Sequence, residues 1–93
     1  MRKSRSADVF DQLGFNRIEA ANLRLRAAMM NALIAELERK GLTQSQAAKA
    51  LGVSQPRVSD LMRGKLHLFS IDMLVTLLST LGLHVEMKVR RAA

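Results

Sequence analysis

The side chains with chemistry to offer gather in one stretch, Ser54 to Lys65: Ser-Gln-Pro-Arg-Val-Ser-Asp-Leu-Met-Arg-Gly-Lys. They are hydroxyl, carboxamide, guanidinium, carboxylate and ammonium groups. Such a set reads base edges by hydrogen bonding and holds phosphates by charge. It does not build a reaction centre. Ser59, Asp60 and His67 form only a coincidental trio, with no strained nucleophile turn and no oxyanion donors around them. His67 and His84 are far apart, no carboxylates stand at ligand spacing, and Cys is absent. Neither a metal centre nor a thiolate nucleophile is expected. Gly64–Lys65 lacks the upstream glycine of a phosphate-binding loop and is followed by Leu66. No cofactor and no enzymatic activity are expected.

Two short helices must carry these groups. Thr43 can cap the first, and Gln46, three residues on, completes a Thr-x-x-Gln capping box. Ala47, Ala48 and Leu51 supply its buried face, and the two alanines let another helix cross closely. Gly52 ends it where a left-handed residue is usually needed. Val53 follows as an apolar plug. Ser54 caps the second helix, and Pro56 falls in its first turn, where a missing N–H costs little. Val58, Leu61 and Met62 face inward, and Gly64 terminates. Two helices joined by so tight a turn cannot stack side by side; they form a helix-turn-helix over 43–63. The second helix turns Gln55, Ser59, Asp60 and Arg63 away from the core, with Arg57 to one side.

The run Leu42–Lys65 resembles the helix-turn-helix of the Cro/C1-type (XRE) transcriptional regulators: Thr-Gln, two alanines, Leu-Gly-Val-Ser, a variable recognition helix, then Gly-Lys. Asp-Val-Phe-Asp-Gln-Leu-Gly-Phe at 8–15, Glu-Ala-Ala-Asn-Leu-Arg-Leu-Arg-Ala at 19–27 and Phe-Ser-Ile-Asp at 69–72 are similar to short XRE proteins of a HigA-like antitoxin branch. The resemblance implies a lambda-repressor-like helical bundle and roles at matching positions. Gln55 enters the major groove, where a carboxamide pairs with adenine N6 and N7. Arg57 reaches guanine O6 and N7 or a phosphate, and Ser59 stands with them as a base contact. Gln44, Ser54, Arg63 and Lys65 hold phosphates and fix register. Pro56 departs from the usual polar occupant, so one base contact of the family is missing. Asp60 could accept from cytosine N4 or pair with Arg57 or Arg63; the ion pair is favoured, since a carboxylate near phosphates needs a partner. The expectation is a repressor that works as a homodimer on palindromic double-stranded DNA, and the resemblance further implies a RelE/HigB-like, messenger-RNA-cleaving toxin as partner; the alternatives are a stand-alone phage-type repressor without a toxin and a protein-interaction module that has lost DNA binding.

The rest of the chain must hold this reader. Residues 1–15 form a basic arm and a short apolar segment; two of the three Phe lie at 8–15, where Val9 and Leu13 sit one helical turn apart. That segment either packs on the chain's own core or recognises a partner. Glu19 to Lys40 is the longest expected helix, with an apolar stripe of Ala20, Leu23, Ala27, Met30, Ile34 and Leu37. A second stripe, Ala21, Leu25, Ala28 with Met29, and Ala32, means either a wide core face or an interface with another chain. Ser70 caps a further helix to Leu81 with Ile71, Leu74, Val75, Leu78 and Leu81 inward, and Gly82 stops it. From Leu83 to Arg90 the period changes to two, with Val85, Met87 and Val89 on one face. That reads as a strand, and a strand cannot stand alone. Its partner is the same strand of a second copy, the 8–15 segment, or another protein's sheet. The expected fold is mainly α: a lambda-repressor-like bundle of about five helices, the turn at 8–15 counted among them, with the helical domain over 16–82, then a strand and basic tail over 83–93, dimeric.

Composition agrees. The 93 residues hold 15 Lys and Arg against 8 Asp and Glu, a net charge of +7 and pI near 11.2. That is the electrostatic footprint of a polyanion binder. With no Trp or Tyr, stacking on single-stranded bases is not the mode. The longest uncharged run of the second half, Met73 to Val85, is too short for a bilayer that needs about 20 apolar residues. The N-terminus lacks the apolar region of a signal peptide. No membrane partner is expected, and the cytoplasm is the default location.

Overall fold

Asn16 opens the first helix. Its carboxamide oxygen accepts from the Glu19 backbone N–H at 2.8 Å, and the Glu19 carboxylate accepts from the Asn16 N–H at 3.1 Å. This reciprocal cap starts the helix at Arg17 rather than at the expected Glu19. The computed structural model of the chain describes residues 16–91. Within them, α1 spans Arg17–Lys40, α2 Gln44–Leu51, α3 Gln55–Met62 and α4 Ile71–Thr80, with a 3-10 turn at Leu66–Leu68. The helical turn expected at 8–15, the fifth of the expected helices, lies outside the described residues.

The helix-turn-helix forms as its caps dictate. Thr43 Oγ1 accepts from the Gln46 N–H at 3.1 Å, while Gln46 Oε1 accepts from the Thr43 N–H at 2.9 Å. Gly52 ends α2 with φ 71°, its N–H bonded to the Ala48 and Lys49 carbonyls. An L-residue there meets the left-handed penalty, so glycine is what the tight turn needs. Ser54 caps α3 and Ser70 caps α4. Thr43→Ala should lower stability by about 1 kcal/mol, a fall in Tm of about 4–8 °C for a domain of this size. Thermal unfolding by circular dichroism, with exposed Ser45→Ala as control, checks this.

α1 packs along α4, and α2 packs against α3. The core joins Met29, Met30, Leu33 and Leu37 of α1 to the α2 alanines, Val58 and Leu61 of α3, Phe69, and Leu74, Leu77 and Leu78 of α4. Val53 packs on this cluster as the plug between the two motif helices. The α1 face is rotated from the expected stripe. Leu33, fully buried, and Met29 replace Leu23 and Ile34, which are only partly covered. The reason is the direction from which α4 approaches, which periodicity does not specify. Ala21, Leu25, Ala28 and Ala32 remain exposed.

The expected strand at Leu83–Arg90 is not formed. Leu83 is tied back to the Leu78 carbonyl at 2.9 Å and touches the core. Beyond it, residues 84–91 have no regular structure and no backbone hydrogen bond among the described residues. Val85, Met87 and Val89 are 37%, 82% and 83% exposed. A strand exists only as half of a ladder, and the described residues supply no second half. No helix among the described residues is long and apolar enough to cross a membrane.

Candidate nucleic-acid interface

The groove-reading candidates stand on two helix starts and one turn. Gln44 is the first residue of α2 and Gln55 the first of α3, and both side chains are exposed. Ser54 lies just before α3, its hydroxyl oxygen accepting from the Arg57 N–H at 3.3 Å. That hydroxyl keeps its hydrogen for donation. Ser59 lies one turn beyond Gln55 on the same outward row and is half-buried; Arg63 continues that row at the helix end and is exposed. Gln55 makes no side-chain hydrogen bond to a described residue, so its carboxamide is available for a base edge. Gln44, Ser54, Gln55, Ser59 and Arg63 therefore lie where the sequence places them on the two helices.

Arg57 is held differently. Its guanidinium lies over the Phe69 ring, 5.2 Å from the centroid, and Nη1 donates to the Leu68 carbonyl at 3.2 Å. Phe69 is 1% exposed. The side chain folds back onto the domain rather than outward beside Gln55. Asp60 takes the ion pair expected of it, but with a different cation: its Oδ1 is 3.7 Å from Lys65 Nζ, rather than bonded to Arg57 or Arg63. The chain reverses at Gly64, and the Lys65 N–H donates to the Asp60 carbonyl at 3.1 Å, which brings the two side chains together. A part-exposed pair at that distance contributes little, so Lys65 can exchange Asp60 for a phosphate.

One contributor carries no signal in the sequence. Arg26 of α1 donates to the Leu66 carbonyl at 2.9 Å and the Phe69 carbonyl at 3.3 Å, while its Nε donates to Asn22 at 2.6 Å. Arg26 and Arg57 thus grip the Leu66–Phe69 turn from two helices. That turn sets where α4 begins relative to α3. A guanidinium satisfying several carbonyls in a partly buried place is worth more than a surface ion pair, because the carbonyls would otherwise lose their partners.

A family model described as a helix-turn-helix domain matches residues 9–90. A solved structure of a protein described as an XRE family transcriptional regulator is 38% identical to this chain. The match covers 76% of this chain and 80% of that one, with a TM-score of 0.72. No curated protein matches the chain.

Proposed function

We propose that this chain, which belongs to the XRE family of helix-turn-helix proteins and is a DNA-binding transcriptional regulator, represses transcription as a homodimer on a palindromic operator. The observation that carries the reading is the outward row of Gln55, Ser59 and Arg63 on a capped second helix. Gln55 and Ser59 read base edges in the major groove. Gln44, Ser54, Arg63 and Lys65 bind phosphates and fix the helix in register. For Arg57 the contacts with Leu68 and Phe69 favour positioning α3 over reaching guanine.

Two recognition helices enter successive major grooves about 34 Å apart. The subunits join through Leu83–Arg90, where each copy supplies the strand the other lacks and covers the exposed Val85, Met87 and Val89. The finer assignment is an antitoxin that represses its own operon and neutralises a RelE/HigB-like toxin in the cytoplasm. Its support is the HigA-like resemblance at 8–15, 19–27 and 69–72, with the Phe-bearing 8–15 segment as the toxin contact.

Mobility shift on the DNA upstream of its own gene tests the operator reading. Retardation is expected at low salt. Arg63 and Lys65 from two protomers predict a salt slope of log affinity of about −3 to −4, steeper if the terminal basic clusters also touch phosphates. Absence of any shift at low salt contradicts it. For the antitoxin assignment, co-expression with the product of the adjacent gene is decisive: co-purification with relief of growth inhibition is expected, and persistent inhibition without co-purification refutes it.

A further inference from the structure

Among the described residues, the exposed large hydrophobics are Ile18, Leu25, Val85, Met87 and Val89. The last three belong to the C-terminal segment assigned above to strand pairing. Ile18 and Leu25, 81% and 48% exposed, belong to α1 and face away from the core. They head a row, Ile18, Ala21, Leu25, Ala28, Ala32 and Ala35, whose members are all exposed. Its steps alternate three and four, the spacing of a two-helix seam.

We infer that this face of α1 pairs antiparallel with α1 of a second copy of the chain, forming a self-association surface separate from the C-terminal one. Two features of the row select that occupant and that direction. The first is size. With Leu25 opposite Ala28 of the second copy, Ala21 meets Ala32 and Ile18 meets Ala35, each layer repeated by symmetry. Every large side chain then faces an alanine and only the two Ala21–Ala32 layers are all alanine, so bulk is spread along the seam and the helices approach closely. In a parallel pair Ile18 would face Ile18 and Leu25 would face Leu25, with all-alanine layers between them left underfilled.

The second feature is charge. Arg17 and Arg24 flank the row near the start of α1, and Glu38 flanks it near the end. Glu36 is held by Arg39 and Lys40 of its own helix at 2.7 and 3.9 Å, and the hydrogen bond from Arg39 keeps its carboxyl below the usual range. In the antiparallel register Arg17 stands beside Glu38 of the second copy, twice by symmetry, and Arg24 beside Asn31. A parallel register places the arginines of both copies together at one end. Antiparallel pairing also opposes the two helix dipoles.

The inference does not rest on the operator reading, because the row lies on a helix outside the reading motif. With C-terminal pairing also present, each chain carries two self-complementary faces, and dimers join into larger assemblies. The chain has no Cys, so single-cysteine variants report the register directly. Leu25→Cys and Ala28→Cys, mixed and mildly oxidised, should cross-link to each other faster than either does to itself. Faster Leu25→Cys self-linking, or no cross-linking at all, overturns the proposal.

Sedimentation analysis in a Met87→Asp/Val89→Asp background isolates this face from the C-terminal one. There, Arg17→Glu and Glu38→Arg should each weaken self-association about 2- to 20-fold, since each reverses two rim pairs. The double variant should recover it. Failure of the double variant to recover, while the melting temperature is unchanged, rejects the pairing. Leu25→Asp that leaves self-association intact but abolishes co-purification of the neighbouring gene product reassigns the face to that partner and likewise rejects it.

Discussion

Alanine at Phe69 should remove about 3–5 kcal/mol of stability, a large share of what holds a domain this small. Phe69 is buried to 1% exposure and packs in the one core that joins all four helices. It also terminates the 3-10 turn, its N–H donating to the Leu66 carbonyl at 3.1 Å, and stands beside the Ser70 cap of α4. Truncation opens a cavity and uncovers the Arg57 guanidinium at the same time. Urea unfolding of Phe69→Ala, Arg57→Ala and the double variant separates these contributions. A coupling of about 0.5–2 kcal/mol is expected for a cation stacked on a ring. Phe69→Leu keeps most of the volume and should retain most of the stability. A Phe69→Ala protein whose stability lies within about 1 kcal/mol of wild type, an ordinary loss for any single substitution, would mean that the turn is not part of the core.

Gln55→Ala should cost about 1–3 kcal/mol on the preferred operator and flatten the preference at one base pair per half-site. The carboxamide is exposed, capped into place by Ser54, and offers a donor and an acceptor in the plane an adenine edge requires. Arg57→Ala should behave differently. With its guanidinium spent on Leu68 and Phe69, its loss loosens α3 against the turn and lowers affinity for every operator variant by a similar factor. Competition binding across all single-base substitutions of one half-site distinguishes the two patterns. A selective loss at a guanine with Arg57→Ala restores the base-reading role that the resemblance implies. On the expected outcome, the two variants divide the recognition helix into a residue that reads and a residue that holds.

The local devices were legible because each closes within a few residues. The Thr43–Gln46 box, the Ser54 and Ser70 caps and the Gly52 stop depend on backbone groups three or four positions away. The Asn16–Glu19 box obeys the same rule and starts the helix at Arg17, two residues ahead of the expected Glu19. The outward placement of Gln55, Ser59 and Arg63 follows as directly, since helical period alone separates them from Val58 and Leu61.

The motif and its polarity thus follow from residues close in the chain: two capped helices, a turn of one conformation, and a row of polar groups on the side away from the core. Hydrogen bonds to neighbours in the chain and the helical repeat suffice for that. Where the long side chains place their charge is set by how the helices pack. Arg26 meets carbonyls 40 and 43 residues away, and Arg57 meets a carbonyl 11 residues on. Asp60 finds Lys65 because the chain reverses between them. The packing also decides which face of α1 is covered, leaving Ile18 and Leu25 outside, and it leaves Val85, Met87 and Val89 without a ladder. The physical reason is common to all: a flexible charged or apolar side chain has several partners within reach of its type, and the partner is chosen by which elements pack beside it.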